Sequence, residues 1–351
     1  MAAPMSTFDV TPLAGSERFG AAICPHENDT VGFIAAAVAA PLALNNALAA
    51  ADGLLLIRGM HAISAAPALL AQFSYAFGET VENYHQTLTG SHRVHPQVPE
   101  ILRVSNKLPV NQQPPARPQP HLNDAGKLPT QFPHRRGWHS DQSYRRPPPD
   151  ISLFYAVTPA PVDQAQTLYA NGVAAYAGLS ADLRAQIHNL FGLHVMPKSG
   201  RAEANIRNGE TPLALLEHQM PQRQPVVRIH PVSGKPALFL CEAGQMDWLE
   251  GPFEGMERGV DGAGAKLLYE LMTHYTSPAY TYTHSWQAGD LIIYDNRCTI
   301  HAATWFDADQ HQREMWRTTV AGNPGPEYAG ERPSWIPQDA GTERLGGISH
   351  L

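Results

Sequence analysis

The chain has 351 residues, enough at roughly 150 per domain for one large domain or two modest ones. Hydrophobic residues make up 43% and charged residues only 16%, against ~25% charged in ordinary soluble chains, which argues against a disordered chain and against a highly solvated filament. Lys and Arg (25) against Asp and Glu (32) leave a net charge of -7 without a basic run, which excludes a surface built for a nucleic-acid backbone or an acidic membrane.

In chain order, Met1 to Val10 lacks the basic and apolar regions of a signal peptide, and the apolar stretch 33–44 is too short to span a bilayer. Cys24, Cys241 and Cys298 are odd in number and widely spaced, so no disulfide framework or zinc ribbon is written, and a cytoplasmic location is expected. The Ala-rich stretch 33–51 reads as helix and 53–57 as a buried strand. Ser64 is expected to cap a helix with Pro67 in its first turn and Leu69, Leu70, Phe73 and Phe77 on its apolar face. From about 107 to 137, Pro, Gln and Asn displace large apolar residues, which predicts a long loop, either a lid over a site or a surface excursion. A strand is expected near Trp138 and another at 151–157, then a helix after Ser180. A hairpin follows from 226–230 and 237–240 about Ser233-Gly234, a helix through 267–275, and strands at 280–286, 291–294 and 313–321. Many short strands with interspersed helices, and no Gly-rich phosphate loop, predict a mixed β fold, a jelly-roll sandwich decorated by helices.

The local chemistry starts at Trp138-His139-Ser140-Asp141. An imidazole and a carboxylate at i and i+2 share one face of a strand, as a metal chelate requires. With 17 histidines in the chain such a pair also arises by chance, so the motif alone carries little. A turn at Gly289-Asp290 and the apolar strand after it deliver a further imidazole at His301. Two histidines and one carboxylate occupy one face of an octahedral iron and leave three positions, two for the carboxylate and keto oxygens of a 2-oxo acid and one for O2. Arg313 and Arg317 lie on one strand face, either buried against carboxylate, sulfonate or phosphate or exposed on an edge strand. Trp138, Trp286 and Trp305 read as packing or rim residues. His85, His121, His134 and His230 read as hydrogen-bonded or solvent-facing side chains rather than ligands.

The joint order of these pieces resembles the Fe(II)/2-oxoglutarate-dependent taurine dioxygenase family, which includes sulfonate, alkylsulfate and chlorophenoxyacetate oxygenases. The resemblance rests on His139-x-Asp141, Thr167 in Gln166-Thr-Leu-Tyr, His230-Pro-Val-Ser-Gly-Lys-Pro-Ala-Leu-Phe, Asp295-Asn-Arg297 with His301, and finally Arg313 and Arg317, and it runs from about residue 8 to 323. It implies His139, Asp141 and His301 as iron ligands, Arg313 with the Thr167 hydroxyl as the anchor of the distal carboxylate of 2-oxoglutarate, and Arg317 as the partner of the substrate's anionic group. Asn83 and His85 fall near where the family places substrate contacts. The implied fold is a double-stranded β-helix, a jelly roll with helices outside, forming one catalytic domain over 1–351 with a Pro-rich insertion at about 107–137. The implied reaction oxidises a small organic anion with formation of succinate and CO2.

The sequence departs from the family at Asp163-Gln-Ala-Gln166, where relatives carry a Gly-Gly-Asp turn, and in the long Pro-rich segment, which argues against taurine as substrate. Asp141 is retained, which disfavours halogenation. A zinc hydrolase or a non-catalytic metal-binding jelly roll would use the same three ligands but leave Arg313 and Arg317 without purpose. A homo-oligomer is compatible with the sequence, which leaves the oligomeric state open.

Overall fold

The computed structural model describes residues 7–87, 89–117, 137–242, 244–331 and 334. Strands β1 (Phe8–Leu13) and β2 (Ser16–Pro25) form an antiparallel hairpin. The Ala-rich stretch forms two helices, α1 (Thr30–Ala39) and α2 (Leu42–Ala50), bent by 92°. Pro41 between them lacks an N–H and cannot continue α1, so the single helix expected over 33–51 is divided. Strand β3 (Leu54–Ile57) lies parallel to β2. It follows Gly53, whose φ of +90° no other residue adopts readily and where a Cβ would lie 2.5 Å from Cys298 Sγ.

The helix expected to start at Ser64 is also two, α3 (Ala62–Ala65) and α4 (Ala68–Ser74), with Pro67 as the N-cap of the second. Ser64 lies inside α3, and its hydroxyl meets Tyr155 OH at 2.7 Å instead of capping. Strands β4 (Thr80–Val81), β5 (Leu102–Ser105), β6 (Ile151–Thr158) and β7 (Thr167–Asn171) follow. Helices α5 (Gly172–Ala177) and α6 (Ala181–Ile187) come next, the latter capped by Ser180 as expected. The remaining elements are β8 (Phe191–His194), α7 (Glu203–Arg207), β9 (Gln222–Pro225), the expected hairpin β10 (Val227–Ile229) and β11 (Pro236–Leu238), α8 (Ala263–Tyr275), β12 (Thr281–His284), β13 (Leu291–Asp295), β14 (Thr299–Ala303) and β15 (Glu314–Ala321). Described residues 106–117 form neither helix nor strand. Residues 118–136 of the Pro-rich segment, with His121 and His134, lie outside the described residues.

An eight-stranded sheet has the order β1-β2-β3-β13-β6-β15-β4, with β5 also paired to β15, and a three-stranded sheet has the order β12-β7-β14. β13 is buried along its whole length and β6 along its first six residues, which is why both read as continuous apolar runs rather than alternating ones. One core packs the large sheet against α1 to α4, a second packs the small sheet against α5 and α8, and a third lies between the sheets around Phe154, Tyr169, Trp286, Ile292, Tyr294 and Met315. The described residues contain no single helix long and apolar enough to cross a membrane. All three cysteines are free.

At the end of β13 the chain is tied by a buried ion pair. Arg297 donates through Nε to Asp295 Oδ1 at 2.8 Å and through Nη2 to Oδ2 at 2.6 Å, and His230 Nε2 lies 2.9 Å from the same Oδ2. Burial opposes the Asp295 charge, but Arg297 outweighs it and holds the carboxyl below its ordinary range. A carboxyl depressed in this way contributes stability above the unfolded value of ~3.9 and loses it as pH falls below that value. Arg297→Met is therefore expected to lower the unfolding free energy by ~3–5 kcal/mol at neutral pH, with a deficit that narrows below about pH 4. Urea denaturation across that range measures both.

Candidate active site

The strand expected near Trp138 is a single bridge. His139 N donates to His301 O and His301 N to His139 O, both at 2.9 Å, so this reciprocal pair sets the loop residue beside β14. The two imidazoles lie side by side with ring centroids 4.2 Å apart. Beyond His139 the chain turns, and Asp141 N donates to Asn296 Oδ1 at 3.1 Å, which swings the Asp141 carboxylate back toward the two rings. Its Oδ1 is 3.9 Å from His139 Nε2 and 3.8 Å from His301 Nε2. The convergence read from i, i+2 spacing on a strand is present, but a turn produces it.

His139 and Asp141 are oriented from behind, whereas the buried His301 Nδ1 has no hydrogen-bond partner among the described residues. His139 Nδ1 lies 2.7 Å from Gly137 O, which fixes that nitrogen as the protonated one and leaves the Nε2 lone pair free. Burial and the neighbouring His139 pull His301 down to about 3, so its ring is neutral at neutral pH. Asp141 Oδ2 accepts from Ser152 Oγ at 2.9 Å and from Tyr294 OH at 2.6 Å, and Oδ1 accepts from Arg317 Nη1. Burial pushes the Asp141 carboxyl up, but Arg317 and the two histidines outweigh it and hold it below its usual range. Metal bonds of ~2.0–2.2 Å put donor atoms about 3 to 4 Å apart, and these three ligand atoms all lie within 4.8 Å of one another.

The donors border a cavity of about 590 Å³ that Thr167, Arg313, Arg317, Asn83 and Tyr84 also line. Arg313 is buried, its Nε has no hydrogen-bond partner, and no carboxylate pairs with it among the described residues. Burial draws its guanidinium down to about 10, so it remains cationic at neutral pH. Thr167 is delivered by a turn with left-handed backbone at Asp163 (φ 68°) and Ala165 (φ 48°), so the turn forms without the glycines of the family pattern. Asn83 caps a short 3-10 helix by accepting from His85 N, and the His85 side chain is exposed and is not among the residues that line the cavity. Arg93 and Tyr144 line the cavity too, on segments where no motif marks them.

A second cluster, His230, Asp295 and Cys298, has ligand-like spacing. Its His and Asp are already committed: His230 Nδ1 accepts from Ser233 N at 3.1 Å, and Arg297 holds both oxygens of Asp295. It is part of the fold's scaffold.

Among relatives, an (S)-phenoxypropionate/alpha-ketoglutarate-dioxygenase of Sphingobium herbicidovorans is 31% identical over 197 residues, covering 55% of this chain and 64% of its own. An alpha-ketoglutarate-dependent 2,4-dichlorophenoxyacetate dioxygenase of Burkholderia sp. (strain RASC) is 31% identical over 185 residues, covering 53% and 58%. The chain thus spans about three fifths of the length of these curated relatives. Crystalline AAD-2, solved in complex with Mn(II) and N-oxalylglycine, has a TM-score of 0.65 at 24% identity over 91% of this chain and 99% of its own, a likeness of fold. Residues 10–319 match the family profile described as taurine catabolism dioxygenase TauD, TfdA family, and the chain belongs to that family.

Proposed function

We propose that this protein is an Fe(II)- and 2-oxoglutarate-dependent oxygenase that oxidises a small organic anion, most simply by hydroxylation, with formation of succinate and CO2. The observation that carries this reading is the meeting, in one cavity, of two imidazoles and a carboxylate with a buried guanidinium that no carboxylate answers among the described residues. Borderline nitrogen and hard oxygen donors on one face suit Fe(II), which His139, Asp141 and His301 would hold. Held there with 2-oxoglutarate and O2, Fe(II) would supply the oxidising chemistry.

The chain's own residues do the positioning. The planar fork of Arg313 matches the distal carboxylate of 2-oxoglutarate, and its burial removes competing water, so the pair is strong where it forms. Arg317 shares Asp141 Oδ1, and its buried Nε has no partner, which leaves guanidinium N–H groups for the charged end of the prime substrate. Relatives named for phenoxypropionate and 2,4-dichlorophenoxyacetate, both carboxylates, support an anionic substrate. Gln112, Pro114 and Pro115 line the cavity, which favours the lid reading of the Pro-rich segment over the surface excursion. A zinc hydrolase or a passive metal-binding module gives the lone Arg313 nothing to do. In this reading the two facing sheets are the halves of a double-stranded β-helix, and 1–351 is one catalytic domain.

His301→Ala is expected to abolish stoichiometric Fe(II) binding and substrate oxidation while leaving the far-ultraviolet circular dichroism intact. A variant that keeps wild-type metal affinity overturns the ligand assignment. Arg313→Leu is expected to raise the 2-oxoglutarate dissociation constant by about a hundredfold or more, because losing one partner of a buried pair costs ~3–5 kcal/mol and each ~1.4 kcal/mol is tenfold. Anaerobic titration of the Fe(II) protein, followed by its visible charge-transfer band, measures this, and an unchanged constant moves the anchor elsewhere.

A further inference from the structure

Trp286 reads from sequence as packing, and much of it is: the indole is 4% exposed, with Phe154 edge-on at 5.3 Å and His284 edge-on at 4.5 Å. His284 is itself fixed between Tyr282 OH and Asp290 Oδ2, each at 3.0 Å, and Asp290 is gripped by Arg58 at 2.9 Å. What packing does not explain is the direction of the indole N–H, which donates to Thr167 Oγ1 at 2.9 Å.

An indole nitrogen can only donate, so Thr167 Oγ1 must accept, and the hydroxyl's single hydrogen is left to point elsewhere. No acceptor takes that hydrogen among the described residues, although Thr167 is 2% exposed and a buried hydroxyl normally finds a partner. Thr167 and Arg313 line the same cavity, and Arg313 Nε also lacks an acceptor. Among the described residues these two groups therefore offer donors that no protein acceptor takes. A ligand group with lone pairs and no hydrogens satisfies them, and a carboxylate does so with two oxygens.

We propose that Trp286 is a positioning residue for the cosubstrate: its N–H locks the Thr167 hydroxyl as a donor toward the distal carboxylate of 2-oxoglutarate and so sharpens selection for a 2-oxo acid with a second carboxylate. The proposal rests on the reading of Arg313 and Thr167 given under Proposed function. Without the indole N–H, the Thr167 hydroxyl is free to rotate and to accept, and it loses its built-in preference for an anion. A 2-oxo acid whose distal end is a methyl group makes no use of that hydroxyl, so its affinity is indifferent to the lock.

The test compares 2-oxoglutarate with 2-oxovalerate by anaerobic calorimetric titration of the Fe(II)-loaded protein. Trp286→Phe, which keeps a ring against Phe154 and His284, is expected to weaken 2-oxoglutarate about tenfold, the size of one hydrogen bond to a charged group, and to leave 2-oxovalerate unchanged. Thr167→Val is expected to give the same selective loss, and the double variant no more than Thr167→Val alone, because Trp286 acts through Thr167. Thr167→Ser, which keeps the hydroxyl, is expected to retain most of the preference. Equal weakening of both acids by Trp286→Phe, or multiplied losses in the double variant, overturns the proposal. Should Trp286→Phe fail to fold, Thr167→Val with the indole intact still decides: without a loss confined to 2-oxoglutarate the proposal falls. A wild-type protein that binds both acids alike overturns the anchor reading and this proposal with it. A wild-type preference that is undiminished in Trp286→Phe overturns this proposal alone.

Discussion

A buried carboxylate is the constraint around which the site is organised. Asp141 is 3% exposed, and an ionised group at such depth is tolerated only when every lone pair is answered. The two oxygens divide the work. Oδ2 is consumed by Tyr294 and Ser152, which fixes the plane of the carboxylate, and Oδ1 is left toward the two imidazoles and Arg317. Asn296 ties the arrangement together, since its Oδ1 accepts from Asp141 N and its Nδ2 donates to Ser152 Oγ at 3.0 Å. Large parts of β6, β13 and the turn after it thus serve to present one oxygen atom.

The cavity carries two kinds of cation. Arg317 has a protein carboxylate, and Arg145 likewise pairs with Glu82 at the cavity wall. Arg313 has none. A guanidinium held in low dielectric without a counter-charge is a standing cost to the fold, and proteins keep such costs where a ligand relieves them. Arg317 is already engaged by the site's own carboxylate with N–H groups to spare, and Arg313 is the guanidinium whose counter-charge a ligand would have to bring.

Periodicity and motif order made much of this legible in the sequence. The strands at 151–157 and 291–294, the hairpin about Gly234, α6 with its Ser180 cap and α8 all follow from local pattern, and the spacing of His139, Asp141, His301 and Arg313 marked the side chains that the cavity brings together. What escaped was decided by tertiary contacts. Pro41 and Pro67 each divide a helix that apolar spacing alone would carry through, and Ser64 is drawn from a capping role to Tyr155. The region of Trp138 makes one bridge rather than a strand because its partners are β14 on one side and a turn on the other. Ser152, Asn296 and Trp286 touch the site through hydrogen bonds whose donors and acceptors lie far apart in sequence, and no local pattern announces them. His85 lies outside the cavity lining, on a short turn where its backbone N–H is capped by Asn83.

The reciprocal bridge between His139 and His301 bears on how the protein comes to be folded at all. It is a clasp between two remote stretches of chain, and it closes a loop of about 160 residues, a closure whose entropy must be met before any reward from the contact is gained. The donor atoms therefore come together only when that loop closes, and while it is open one imidazole and one carboxylate stand on one side of the gap and a lone imidazole on the other. An ion held at the clasp acts as a crosslink across that gap, available to the native state and denied to its precursors, and it raises the barrier to unfolding as well as the depth of the folded well. Removal of such an ion by a chelator would then shorten the lifetime of the native protein, so that metal supply would bear on how long each copy persists.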